Sequence, residues 1–267
     1  MSSQLKQDII QKIEVEKAKV SNLYQIKNKT IKFTEQLFLT LFDKETDVTT
    51  GMDELELQFK ILADLVCFKE EDPCREIWTD FMKKLPDILQ KLNNDACFIK
   101  DNDPAANSID EVYLAYPGFY AISIYRLSHA LLEFGLPIVP RLMSECAHTS
   151  TGTDINPGAE IGNPFFIDHA TGVVIGETCK IEDRVKIYQG VTLGALLVDK
   201  NLKHQKRHPT IKSDVTIYAN ATILGGNTVI GEGSTIGGNV WLTKSVPSNS
   251  FVTHKSMVKI NENKNHE

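Results

Sequence analysis

Thirteen aliphatic residues recur at intervals of six through the second half of the sequence, in four runs: Ile155, Ile161 and Ile167; Ile175, Ile181, Ile187 and Leu193; Ile211, Ile217 and Ile223; Ile230, Ile236 and Leu242. A period of six fits neither the turn of an α-helix nor the two-residue alternation of an ordinary strand. It is the period of a parallel β-helix. Six residues form one face of a coil, three faces make a turn of about eighteen residues, and the aliphatic side chains stack into a ladder that no single coil could bury alone. The inside of such a prism is filled, so chemistry has to lie on its outside.

The chain of 267 residues is 42% hydrophobic and 24% charged, enough for one large core or two modest ones. A formal charge of -6 with no long basic run argues against a nucleic-acid surface, which rests on clustered Lys and Arg. The partner expected is a small molecule or another protein. From Ser2 to Lys29 the sequence is polar and charged, with apolar residues at Leu5, Ile9, Ile13, Val20, Leu23 and Ile26. That is a helical spacing and not a signal peptide, and no run is long and apolar enough to span a bilayer. Cys67, Cys74, Cys97, Cys146 and Cys179 are scattered without a Cys-x-x-Cys, so neither a disulfide framework nor a zinc knuckle is expected. The compartment expected is the reducing cytoplasm.

The character of the chain changes near Ser150. Before it, apolar residues recur at three and four, as in Leu55, Phe59, Leu62, Leu65 and Val66, and glycine is sparse; Pro117 opens a helix that Gly135 and Pro137 stop. After it, glycines alternate with β-branched residues. The fold expected is α+β: an all-helical domain over 1–150, a parallel β-helix over 151–245 and a tail over 246–267.

Three interruptions break the ladder. Between Ile167 and Ile175 the step is eight, with the extra pair inside Asp168-His169-Ala170-Thr171-Gly172. Between Leu193 and Ile211 the step is eighteen, so Ala195 to Pro209 can leave the prism as a loop that ends in Arg207-His208-Pro209. Between Ile223 and Ile230 there is a slip of one residue at Gly225-Gly226, most simply a bulge.

These segments, together with Asp154-Ile155-Asn156-Pro157-Gly158-Ala159 and Gln189-Gly190-Val191-Thr192-Leu193-Gly194, resemble the serine acetyltransferases of the hexapeptide-repeat acyltransferases. The resemblance reaches back to Asp103-Pro104-Ala105 and to Gly118 through His129, and covers roughly residues 100 to 245. It implies a left-handed coil and transfer of acetyl from acetyl-CoA to the hydroxyl of L-serine, giving O-acetylserine for cysteine synthesis. By the same resemblance His169 is the general base and Asp154 the carboxylate that orients it. Arg207 and His208 hold serine, and Asp103 and Asp168 meet its amino group. Gly194, Ala195, Ala219 and Gly238 lie along the path of CoA. No metal and no permanently bound cofactor is implied. L-cysteine is implied as a feedback inhibitor, and a homotrimer or hexamer as the assembly.

The chemistry makes similar demands. A serine hydroxyl is a weak nucleophile at neutral pH, and a positioned imidazole that takes its proton contributes about 10²- to 10⁴-fold. An amino-acid acceptor carries both charges, which suits one Arg with two Asp. Two other readings share the prism: a hexapeptide acyltransferase acting on another hydroxyl, and a non-enzymatic scaffold with no need of His169. The γ-class carbonic anhydrases also use this solenoid, but their zinc requires three converging histidines. The sequence departs from the family at Asn156, where histidine is usual, at Ala195, where a second glycine is usual, and in a longer, more basic stretch from Leu196 to Lys206. It closes on Asn261 to Glu267 without the family's terminal isoleucine, so a tail-mode complex with a sulfhydrylase is not expected.

Overall fold

A computed structural model describes residues 3–18, 23–67, 74–197 and 205–255. The tail from Asn261 to Glu267, its sulfhydrylase expectation and residues 198–204 of the long loop lie outside these residues. Helices come first: α1 (Ser3–Ala18), α2 (Leu23–Phe42), α3 (Val48–Val66), α4 (Cys74–Asn102), α5 (Ile109–Ala115), α6 (Pro117–Glu133) and α7 (Val139–Thr151). Strands of two or three residues follow: β1 (Asp154–Ile155), β2 (Glu160–Ile161), β3 (Phe165–Ile167), β4 (Val174–Ile175), β5 (Lys180–Ile181), β6 (Val185–Ile187) and β7 (Thr192–Gly194). After the loop come β8 (Thr210–Ile211), β9 (Thr216–Ile217), β10 (Thr222–Leu224), β11 (Val229–Ile230), β12 (Thr235–Ile236), β13 (Trp241–Leu242) and β14 (Phe251–Val252).

Up to β13 every third strand joins the same sheet, and β14 then joins β12, in the orders β1-β4-β7-β10-β13, β2-β5-β8-β11 and β3-β6-β9-β12-β14, and every pairing is parallel. These are the three faces of the prism. The six-residue period becomes register: Ile155, Ile175, Leu193, Ile223 and Leu242 stack on the first face, and Ile167, Ile187, Ile217, Ile236 and Val252 on the third. Eleven of the thirteen ladder residues are buried, and Ile161 and Leu242 pack partly buried against that core. The coil runs past Ser245, with Val246 bridging to Ile230 and β14 pairing with β12.

The helical half packs on the first coil. Pro117 opens α6 as its fixed φ favours, and Gly135, with φ 86°, stands in the left-handed region just past its end. Helix α6 is buried along nearly its whole length and sends the Tyr125 hydroxyl to the carbonyl of Ala159 at 2.6 Å. Cys67, at the end of α3, is disulfide-bonded, whereas Cys97, Cys146 and Cys179 are free. One bridge at a helix end is not a framework of regularly spaced cysteines. No helix among the described residues is long and apolar enough to cross a membrane.

The slip at Gly225-Gly226 is not a bulge within a strand. It is a corner shaped around the returning loop: Gly225 has φ +103°, and a Cβ on Gly226 would stand 2.1 Å from the Lys206 carbonyl oxygen. Only a glycine lets the backbone of Lys206 and Arg207 lie this close to the prism.

Candidate active site

Two groups of predicted residues emerge, one on each edge of the first face. The first group occupies the corner between β3 and β4. Along this edge the backbone bonds Gly190 N–H to Thr171, Asn220 N–H to Gln189 and Asn239 N–H to Ala219, so Thr171, Gln189, Ala219 and Gly238 form one column. Asp168, Tyr188 and Tyr218 form the column beside it, carried by the register of Ile167, Ile187 and Ile217. The two extra residues are therefore His169 and Ala170, and both adopt left-handed backbone, with φ 55° and 62°. A pair of non-glycine residues in that region is a strained turn of the kind found at functional sites. Ala170 fills the interior, while the His169 side chain stands off the column, 68% exposed, with Nε2 3.7 Å from the Asp168 carboxylate.

Asp103 reaches the same corner from the end of α4. It accepts the Tyr116 hydroxyl at 2.6 Å and the Ala105 N–H at 2.8 Å. Burial, and then the bonded Asp103 carboxylate, push the Tyr116 phenol well above its usual value, so it stays a donor. Burial pushes the Asp168 carboxyl up; the neighbouring His169 pulls it down and the charge of Asp103 pushes it up again. Tyr116 was not legible in the sequence as a site residue, because a tyrosine before a helix-opening proline reads as a packing residue. Tyr188 and Tyr218, whose rings stack at 5.0 Å with an interplanar angle of 25°, follow ladder isoleucines and were not singled out in the sequence either.

Asp154, on β1, takes a different partner from the expected one. Its carboxylate accepts from Arg141 at 3.1 Å, and no hydrogen bond joins it to His169. Arg141 also bonds Glu145, one turn further along α7. Glu145, His148 and Asp154 have their ligand atoms within 4.8 Å of one another, the spacing of a metal site, but Arg141 already bonds both carboxylates and closes the cluster as an ion network.

The second group lies on the other edge, where the loop returns into β8. Thr178 organises it: its hydroxyl oxygen accepts the backbone N–H groups of Arg207 at 2.9 Å and His208 at 3.1 Å, and its own N–H donates to Nδ1 of His208 at 3.0 Å. The Arg207 guanidinium bonds Glu177, a partner that sequence reasoning missed. Lys206 spends its ammonium on the carbonyls of Thr178, His208 and Pro209, at 2.9, 2.8 and 3.3 Å. Part of the basic character of the loop is thus a clamp. A groove of about 360 Å³ lies beside Arg207, lined by Leu196, Leu197 and Gly225 among others. Gly194 and Ala195 belong to this edge, whereas Ala219 and Gly238 belong to the edge of His169.

His208 is buried over Gly176, and burial, followed by the charge of Arg207, lowers its pKa from 6.5 to about 4. With Nδ1 accepting from Thr178, the neutral ring carries its proton on Nε2 and is a donor there. Because the folded pKa is the lower one, the unfolded chain takes up the proton first as pH falls. The stability contribution is complete above about pH 6.5 and is lost as pH drops toward 4. Melting temperature is expected to fall across that window, and to fall less in His208→Asn; identical acid profiles for the two proteins would contradict the assignment.

No family model matches the chain. A serine acetyltransferase (plasmid) of Synechococcus elongatus is 54% identical over 183 residues, which cover 67% of this chain and 57% of that relative. The chain thus spans little more than half the length of this relative. Among solved structures, serine acetyltransferase isoform 3 of Entamoeba histolytica in complex with cysteine superposes with a TM-score of 0.77 at 32% identity, over 87% of this chain and 84% of that one. A Brucella abortus serine acetyltransferase in complex with coenzyme A superposes with a TM-score of 0.64 at 30% identity, over 85% and 80%. The prism, the inserted histidine and these similarities along most of both chains lead to one conclusion: the chain belongs to the serine acetyltransferase family.

Proposed function

We propose that this chain transfers the acetyl group of acetyl-CoA to the hydroxyl of L-serine, giving O-acetyl-L-serine and CoA in the route to L-cysteine. The observation that carries the reading is the inserted left-handed pair, which lifts an accessible imidazole out of an otherwise continuous column beside two carboxylates. His169 takes the hydroxyl proton as the serine oxygen attacks the thioester carbonyl carbon. The tetrahedral intermediate then expels CoA thiolate, and the imidazolium returns the proton to sulfur. Asp154 orients His169 once it exchanges Arg141 for the ring, the role a carboxylate has in a triad. Asp103 and Asp168 meet the ammonium of serine, Arg207 its carboxylate, and neutral His208 donates from Nε2.

Gly194, Ala195, Ala219 and Gly238 are the proposed path of acetyl-CoA; a Cβ on Gly238 would stand 3.2 Å from the Ala219 carbonyl oxygen, so that corner has little room for bulk. The Brucella relative in complex with coenzyme A supports the co-substrate. The acidic and basic groups occupy different edges of one prism, which supports sites completed between neighbouring prisms of a trimer. Light scattering distinguishes that trimer from a hexamer. The Entamoeba relative in complex with cysteine supports L-cysteine as an inhibitor competing with serine.

Thiol release from acetyl-CoA, measured with single amino acids and with sugar hydroxyls, tests the activity. Serine alone should give turnover, and release with a sugar but not with serine would replace the acceptor. The seat of His208 gives a sharper check. A Cβ at Gly176 would stand 2.1 Å from the imidazole Cδ2, so Gly176→Ala should displace the ring and raise the KM for serine about tenfold or more. The KM for acetyl-CoA should barely move, and equal changes in both would argue that the loop only supports the fold.

A further inference from the structure

Asp95 and Arg126 form a buried ion pair that the chemistry above does not use. Arg126 donates from Nε to one Asp95 oxygen at 2.5 Å and from a terminal nitrogen to the other at 2.8 Å, and reaches the carbonyls of Ile161 at 3.4 Å and Gly162 at 2.8 Å. The same carboxylate accepts the Phe165 N–H at 2.8 Å and the Asn163 side-chain amide at 2.8 Å. One point on α4 is thereby tied to α6 and to the start of β3. A buried ion pair is poor evidence of extra stability, because desolvation offsets its attraction; its directional bonds do constrain geometry.

The constrained geometry runs along two arms. From Asp95 to Asp103 the chain advances eight residues along α4, about 12 Å at the rise of a helix. From Phe165 to Asp168 it advances three residues along β3, about 10 Å at the rise of a strand. Both arms begin at the hydrogen bond between Asp95 and Phe165. Both end on a carboxylate of the acidic pair, and the arms are nearly equal in length. A tie from Lys186 to Asn102, at 3.2 Å, closes the far end.

We propose that Asp95 is a positioning residue for the acceptor: held by Arg126, it pins the start of β3 to α4 and so sets the gap between Asp103 and Asp168 that receives the ammonium group. The role assigned to that gap rests on the serine acetyltransferase reading, and the geometric part does not.

The test uses the full-length protein. Asp95→Glu keeps the charge and adds one methylene, and Asp95→Asn keeps the size and removes the charge. Each should raise the KM for L-serine about tenfold or more and leave that for acetyl-CoA within about twofold, since misplacement of about 1 Å suffices for losses of this order. Leu62→Ala, a truncation at a fully buried position on α3, should lower the melting temperature without that split. Equal rises in both constants, or the same split in Leu62→Ala, would overturn the proposal. If Asp95→Asn does not fold, Asp95→Glu carries the comparison. A crystal structure of Asp95→Glu gives a readout without catalysis: the gap between the two carboxylates should change by about 1 Å, and an unchanged gap would overturn the proposal. If the unaltered protein does not acetylate serine, the functional reading fails, and the crystallographic result still decides the geometry.

Discussion

His169→Ala is expected to lower turnover with serine by about 10²- to 10⁴-fold while leaving the KM for acetyl-CoA within about twofold, because the imidazole acts on the proton and not on the thioester carrier. The inserted turn makes this variant informative. His169 is 68% exposed, so its truncation removes little from the core, and an unchanged melting temperature separates a fall in rate from a fall in folding. Near-normal turnover in steady-state assays would remove His169 from the mechanism. Asp154→Asn should cost less, since the imidazole remains, and Arg141→Ala should leave Asp154 able to serve the ring.

Mixing two inactive variants should restore activity. If the acidic and basic edges of neighbouring prisms complete one site, His169→Ala supplies an intact Arg207 edge and Arg207→Ala an intact His169 edge. Random mixing in a closed trimer gives about one quarter of the interfaces two intact edges, so a renatured equimolar mixture should recover about one quarter of wild-type activity from parents near zero. The recovered species should elute as mixed oligomers. A mixture that exchanges subunits, verified by mass spectrometry, and stays inactive would show that each chain builds its site alone.

The prism was legible because its signal is one-dimensional: a single period dictates strand, register and interior together, and Ile167, Ile187, Ile217 and Ile236 stack as their spacing requires. His169 was legible as a defect in that period, although the sequence could not say which pair within Asp168 to Gly172 was the extra one; the left-handed angles of His169 and Ala170 identify it. Arg207 and His208 were legible as the end of the loop. What stayed hidden were partners at large sequence separation with no periodic signal. Tyr116 behind Asp103, Glu177 behind Arg207, Arg141 on Asp154 and Asp95 under β3 are set by the three-dimensional packing of helices on coils. The one-residue slip was visible as a count, but its cause, the backbone of Lys206 lying against Gly226, was not.

The stack of coils has unequal ends. Among the described residues, the first coil is covered by α6 and α7, whereas the inward residues of the last strands, Leu242 and Val252, are only partly buried. Coils protect one another only through nearest neighbours, so opening should begin at β14 and work inward, like a zipper with one end sewn shut. Amide protons in β13 and β14 should exchange with solvent soonest, and those of β3, β4 and β6 should persist longest. His169 sits in that slowly exchanging section, so the far end can fray and reclose many times without disturbing the turn on which the proton transfer depends.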